Sequence, residues 1–69
     1  MSYRNISSIP AGWTVKEIGA GRWRVDVEPC DDVILYHVVH PDSCYIIAEF
    51  RSAAMARLVV REHNAALSH

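Results

Sequence analysis

Residues 33–50 read Val-Ile-Leu-Tyr-His-Val-Val, then His-Pro-Asp-Ser, then Cys-Tyr-Ile-Ile-Ala-Glu-Phe. Two runs rich in β-branched and aromatic residues flank four turn formers, which is the pattern of a β-hairpin. Pro41 presets φ for the first central turn position and Asp42 tolerates the second. A turn there pairs Val39 with Cys44, His37 with Ile46, Leu35 with Ala48 and Val33 with Phe50. The other face then holds Val38 with Tyr45, Tyr36 with Ile47, and Ile34 with Glu49. Both faces are mostly apolar, and a small domain covers only one of them with its own chain. The second face therefore points to a partner.

The chain has 69 residues, 51% hydrophobic and 22% charged, with a formal net charge of −1. That is one domain, near the size at which a single core is barely sufficient, and not a disordered composition. The small net charge predicts no general attraction to nucleic acid or acidic membranes. Two cysteines do not make a disulfide framework. Met-Ser-Tyr-Arg-Asn-Ile lacks the apolar stretch of a signal peptide, and no apolar run reaches the ~20 residues that span a bilayer. The expectation is a reduced, cytoplasmic protein.

Residues 1–11 form an arm punctuated by Ser7, Ser8 and Pro10, with Tyr3, Ile6 and Ile9 able to cover part of the body. A four-stranded antiparallel sheet is expected over residues 12–50. Gly12 to Ile18 reads as its first strand, with Trp13 and Val15 on one face. Gly19-Ala20-Gly21 reads as a turn. Arg22 to Glu28 alternates cleanly: Trp23, Val25 and Val27 on one side, Arg22, Arg24, Asp26 and Glu28 on the other. This hairpin places Val25 beside Val15 and Lys16 opposite Arg24, a cationic spot suited to an acidic group on a partner. Pro29 is expected to end the strand.

Ser52 is a good N-cap for a helix running from Ala53 to about Ser68. Arg57, Arg61, Asn64 and Ser68 make its polar stripe. Met55, Val59 and Ala66, flanked by Ala56, Leu58 and His63, make the face expected on the sheet. The predicted fold is thus α+β, ββββα, in meander order, with Trp13, Val15, Trp23, Val25, Val27, Leu35, Ile46, Ala48 and Phe50 facing the helix.

Cys30, His37, His40 and Cys44 carry ligand chemistry, but zinc needs four groups converging tetrahedrally. His37 and His40 have opposite strand parity, which separates them. The bland assignments are a buried Cys44, a loop Cys30 and hydrogen-bonded imidazoles, so no metal or cofactor is expected. Cys44, His37 and Glu49 lack a nucleophile elbow and a glycine-rich oxyanion loop, and a chain this short has little room for a water-excluding cleft. No enzymatic activity is expected.

Two functional readings remain. In the first, Ile34, Tyr36, Val38, Tyr45 and Ile47 form an exposed patch for another protein or for a second copy, with Lys16, Arg22 and Arg24 as polar selectors. In the second, Tyr36, Tyr45 and the arginines stack and clamp single-stranded nucleic acid. The net charge and Asp26, Glu28, Asp31 and Asp32 favour the first.

Gly12-Trp13-Thr14-Val15 followed by an alanine-rich helix after Phe50 resembles small phage- or prophage-encoded accessory proteins, anti-CRISPR proteins among them. The resemblance implies a non-enzymatic inhibitor that binds a host protein. It transfers no functional residue.

Overall fold

The computed structural model describes residues 8–68. The element order is α1 (Val15–Ala20), β1 (Arg24–Cys30), β2 (Val33–His40), β3 (Tyr45–Phe50) and α2 (Ala53–Leu67). The strands form one antiparallel meander, β1-β2-β3. The fold is α+β, but the sheet has three strands and not the expected four.

The segment expected as the first strand is a turn and a short helix. Gly12, at φ +93°, turns the chain so that Trp13 N–H reaches Pro10 O. Thr14 then caps α1 reciprocally with Glu17. The Thr14 hydroxyl accepts the Glu17 N–H at 3.1 Å, and the Glu17 carboxylate accepts the Thr14 N–H at 2.9 Å. Two otherwise orphaned N–H groups are satisfied within four residues, which outweighs a two-residue apolar alternation. Consequently Val15 does not pair with Val25, and Lys16 does not oppose Arg24. The residue opposite Arg24 is Val39.

β1 runs through Pro29, which takes a register position opposite Ile34. β1 is an edge strand, so its missing N–H is tolerated on the open side. The β1–β2 turn is Asp31-Asp32, with Asp31 at φ +45°, a region that aspartate visits more readily than most residues.

The β2–β3 hairpin forms where expected but closes differently. The loop is residues 41–44, Cys44 N–H reaches back to His40 O at 2.8 Å, and Cys44 adopts φ +64°. Beyond it, His40 faces Tyr45 and Val39 faces Ile46. An irregularity at Val38/Val39 then skips Ile47, so that Val38 faces Ala48 and Tyr36 faces Phe50. This bulge shifts the register by an odd number of residues relative to the expected pairing. An odd shift exchanges the two faces of one strand relative to its neighbour.

One face therefore carries the rows Val25–Val38–Ala48 and Val27–Tyr36–Phe50. The other carries Asp26–His37–Glu49, with Leu35 opposite Glu28. The helix lies on the first. Trp23, on the same side of its strand as Val25, stacks on His63 of α2 with ring centroids 3.4 Å apart and planes 5° apart. Val38 and Ala56 are both completely buried there. Leu35, expected under the helix, is on the opposite side.

Helix α2 begins as expected: the Ser52 hydroxyl accepts the Met55 N–H at 3.1 Å. Its rotation differs from expectation. Ala56, Val59 and His63 turn inward as expected, but Val60 and Asn64 are half-buried as well, whereas Met55 and Ala66 are exposed. Polar residues fix that rotation. Asn64 accepts the Trp23 N–H and donates to the Trp23 carbonyl, both at 3.0 Å. His63 donates from Nε2 to Gly21 O at 2.7 Å. Three backbone groups at the entry to β1 are satisfied this way, which helix burial would otherwise leave costly.

Candidate functional site: an apolar pocket at the α1 end of the sheet

At the end of the sheet where β1 begins and β3 begins, α1 lies across the strand ends and leaves an open pocket of about 230 Å³. It is lined by Ile9, Val15, Ile18, Gly19, Trp23, Tyr45 and Ile47, and is predominantly apolar.

Its floor is fixed. The Trp23 backbone is held by Asn64, its indole Nε1–H donates to Ile18 O at 3.0 Å, and its ring is stacked on His63. Ile18 is the buried residue of α1. Beside the floor, His40 fills the space under Gly21, only 1% exposed, with Trp13 edge-on at 5.0 Å. The rim is open: Val15 is 73% exposed.

Charged residues of both signs adjoin the pocket lining in sequence. Lys16 follows Val15, and Arg22 precedes Trp23; both are exposed. Among the described residues the ion pairs are Arg24–Asp26 at 2.9 Å and His37–Glu49 at 3.1 Å, so neither Lys16 nor Arg22 has a carboxylate partner there. Glu17, bound to Thr14, and the exposed Asp42 of the β2–β3 loop are acidic groups at the same end of the sheet.

The eight residues singled out from the sequence divide by position. Tyr45 and Ile47 line the pocket, and Lys16 and Arg22 are exposed residues next in sequence to its lining residues Val15 and Trp23. Arg24 is tied to Asp26. Val38 is 0% exposed beneath α2, so it presents nothing to a partner. Tyr36 is half-buried in the row with Val27 and Phe50, and Ile34 is exposed at the far end of β2. The expected continuous apolar outer face is therefore interrupted, because the uncovered face has Asp26, His37 and Glu49 as its central row. Tyr36 and Tyr45 also do not form a stacking platform. Tyr45 pairs with His40, four residues along β2 from Tyr36, or about 13 Å at strand rise.

Trp23, Ile18 and Val15 were not foreseen as site residues. Trp23 had a signal, being a large aromatic beside a glycine-rich turn; Val15 and Ile18 required the capped helix to be seen first. Of the arm residues, Ile9 lines the pocket, and Tyr3 and Ile6 lie outside the described residues.

The imidazoles of His37, His40 and His63 are engaged structurally. His40 Nδ1 accepts the Ser43 N–H at 3.2 Å and lies 2.7 Å from Ser43 Oγ, while that same Oγ accepts the Tyr45 N–H. This serine–histidine contact braces the β2–β3 loop, and the ring proton sits on Nε2. Cys30, at the end of β1, and Cys44, in the β2–β3 loop, are free and exposed, so Cys44 is not the buried residue expected and Cys30 is not in a loop. Among the described residues no three His, Cys, Asp or Glu side chains are grouped to hold a metal ion. No helix among them is long and apolar enough to cross a membrane. Compared with protein-family models, curated proteins and solved structures, the chain has no match.

Proposed function

We propose that the chain is a small non-enzymatic protein-binding domain, and that the Trp23 pocket is its docking site. The observation that supports this reading is a concave apolar surface on a fixed floor, with the exposed cations Lys16 and Arg22 next in sequence to its lining residues Val15 and Trp23. Below the ~300 Å³ at which small-molecule sites begin, such a pocket suits one apolar side chain. Interfaces concentrate their affinity where an anchor side chain fills a preorganised pocket. Lys16 and Arg22 would then select an anchor flanked by Asp or Glu and hasten its approach. Within the phage-accessory class that the sequence resembles, the partner is a host protein that docking blocks. The separation of Tyr36 from Tyr45 disfavours nucleic-acid binding.

Selection from a random peptide library on the immobilised protein tests the reading. Enriched peptides should carry an apolar residue beside carboxylates. They should lose at least tenfold in affinity, about 1.4 kcal/mol, on Val15→Asp, a change at an exposed rim position that leaves the fold intact. Tyr45→Ala should weaken them too. Peptides that bind Val15→Asp as well as wild type would place the docking surface elsewhere.

A further inference from the structure

The chain has three glycines, and two of them are explained within the molecule. Gly12 sits at φ +93°, where an L side chain is strained. At Gly21 a Cβ would collide with the His40 ring. Gly19 has neither reason. It lies inside α1, with backbone dihedrals that any L residue adopts, and the position a Cβ would take there has no packed neighbour within 4 Å. A glycine within a helix nevertheless lowers stability relative to alanine, because its unfolded chain has more freedom to lose. Nothing inside this chain offsets that loss.

The offset lies at the pocket. The α1 residues that line it are Val15, Ile18 and Gly19. Their spacing, i, i+3 and i+4, is that of one helix face. A side chain at residue 19 would therefore project from the face that forms the pocket wall. Of the seven lining residues, six carry a branched or aromatic side chain and Gly19 alone carries none. The neighbouring wall does not yield freely, since the Trp23 indole is tied to Ile18 O and stacked on His63. Residue 19 is thus the point in the lining where an incoming group meets backbone.

We propose that Gly19 sets the size of the anchor that the Trp23 pocket accepts, which rests on the docking function inferred above. The gap it leaves admits one long apolar side chain of a partner protein, leucine, methionine or phenylalanine, whose end rests on the α1 backbone. Alanine or valine as anchor stops short of that backbone and leaves the gap unfilled.

Gly19→Ala is a sharp test because its two consequences have opposite signs. Alanine suits the helical backbone, so Tm should rise by about 2–8 °C. The same methyl group occupies the gap, so affinity for random-library peptides selected on wild type should fall about tenfold. Gly19→Leu, which fills the gap, should abolish their binding without lowering Tm. Selection repeated on Gly19→Ala should return shorter anchors. A peptide whose anchor is trimmed from leucine to valine should likewise lose less affinity on Gly19→Ala than on wild type. Undiminished affinity in Gly19→Ala, with Val15→Asp still defective, overturns the role of Gly19 and leaves the docking function standing. A fall in the Tm of Gly19→Ala also overturns it, because the fold itself would then require the glycine. Wild type that captures no library peptide removes the docking function and the role of Gly19 with it.

Discussion

Gly21→Ala isolates one packing contact. Gly21 has φ −93° and ψ 166°, which alanine adopts without strain. On an open surface the change would stabilise by about 0.4–1 kcal/mol through the unfolded chain. Here the new Cβ meets the His40 ring, 2.8 Å from Cδ2 and closer still to Nε2. Restoring an ordinary 3.4 Å separation needs a retreat of at least 0.6 Å from Cδ2 alone. The ring cannot give way freely. It is buried, accepts the Ser43 N–H, and has Trp13 edge-on against it. Overpacking of this kind costs about 1–3 kcal/mol, and a weakened buried hydrogen bond adds about 1 kcal/mol. Net of the entropic gain, a loss of about 2–3 kcal/mol is expected. At 4–8 °C per kcal/mol for a domain of this size, that is a fall of roughly 10–20 °C in Tm. Thermal and urea unfolding of Gly21→Ala, His40→Ala and the double variant measure it. In the His40→Ala background, where the obstructing ring is gone, adding Gly21→Ala should cost nothing or stabilise. A Tm within about 2 °C of wild type, or the same cost in both backgrounds, would refute the argument.

Asn64→Ala removes both hydrogen bonds to the Trp23 backbone and should cost about 2–3 kcal/mol by urea unfolding, because two part-buried groups lose their partners. Asn64→Asp keeps the acceptor for the Trp23 N–H but loses the donor to its carbonyl, and should recover part of that loss. Thr14→Ala dismantles the α1 cap and should cost about 1 kcal/mol. Amide exchange should speed up in residues 14–20 before it does in β2, and uniform acceleration across the chain would contradict a local role.

The strand at β1, the hairpin around residues 40–45 and the Ser52-capped helix were legible in the sequence, because each rests on a local signal. What was misread needed comparison of signals across the chain. Thr14-Val15-Lys16-Glu17 is a capping box, but Trp13 and Val15 alternate like a strand; satisfying two N–H groups decided the outcome. The hairpin was visible, but its register was not, since it depends on Cys44 taking a left-handed φ and on the bulge at Ile47. The extra residue exchanged the faces of β2 relative to β3, and the two-residue Asp31-Asp32 turn, which sets Val38 opposite Val25, did the same relative to β1; together they bury Val38 and turn Leu35 away from the helix. The rotation of α2 escaped for a related reason. Apolar periodicity favoured Met55 and put Asn64 on the polar stripe, whereas Asn64 is drawn inward by the Trp23 N–H and carbonyl some forty residues earlier. Tyr45 and Ile47 were identified individually, and it is α1, the element the alternation concealed, that completes a pocket with them through Val15 and Ile18.

The two margins of the sheet are unlike. β1 presents Arg24, Asp26 and Glu28 and, at Pro29, a position with no proton to give. A strand approaching from that side meets charge and a missing donor, so the sheet is sealed there. β3 has six residues with one charged side chain, Glu49, already engaged by His37. Its one safeguard among the described residues is the kink at Ile47. Recombination or design that lengthens this sheet therefore has a direction. New strands can be appended along β3, while the same sequence grafted beyond β1 would find nothing to zip against.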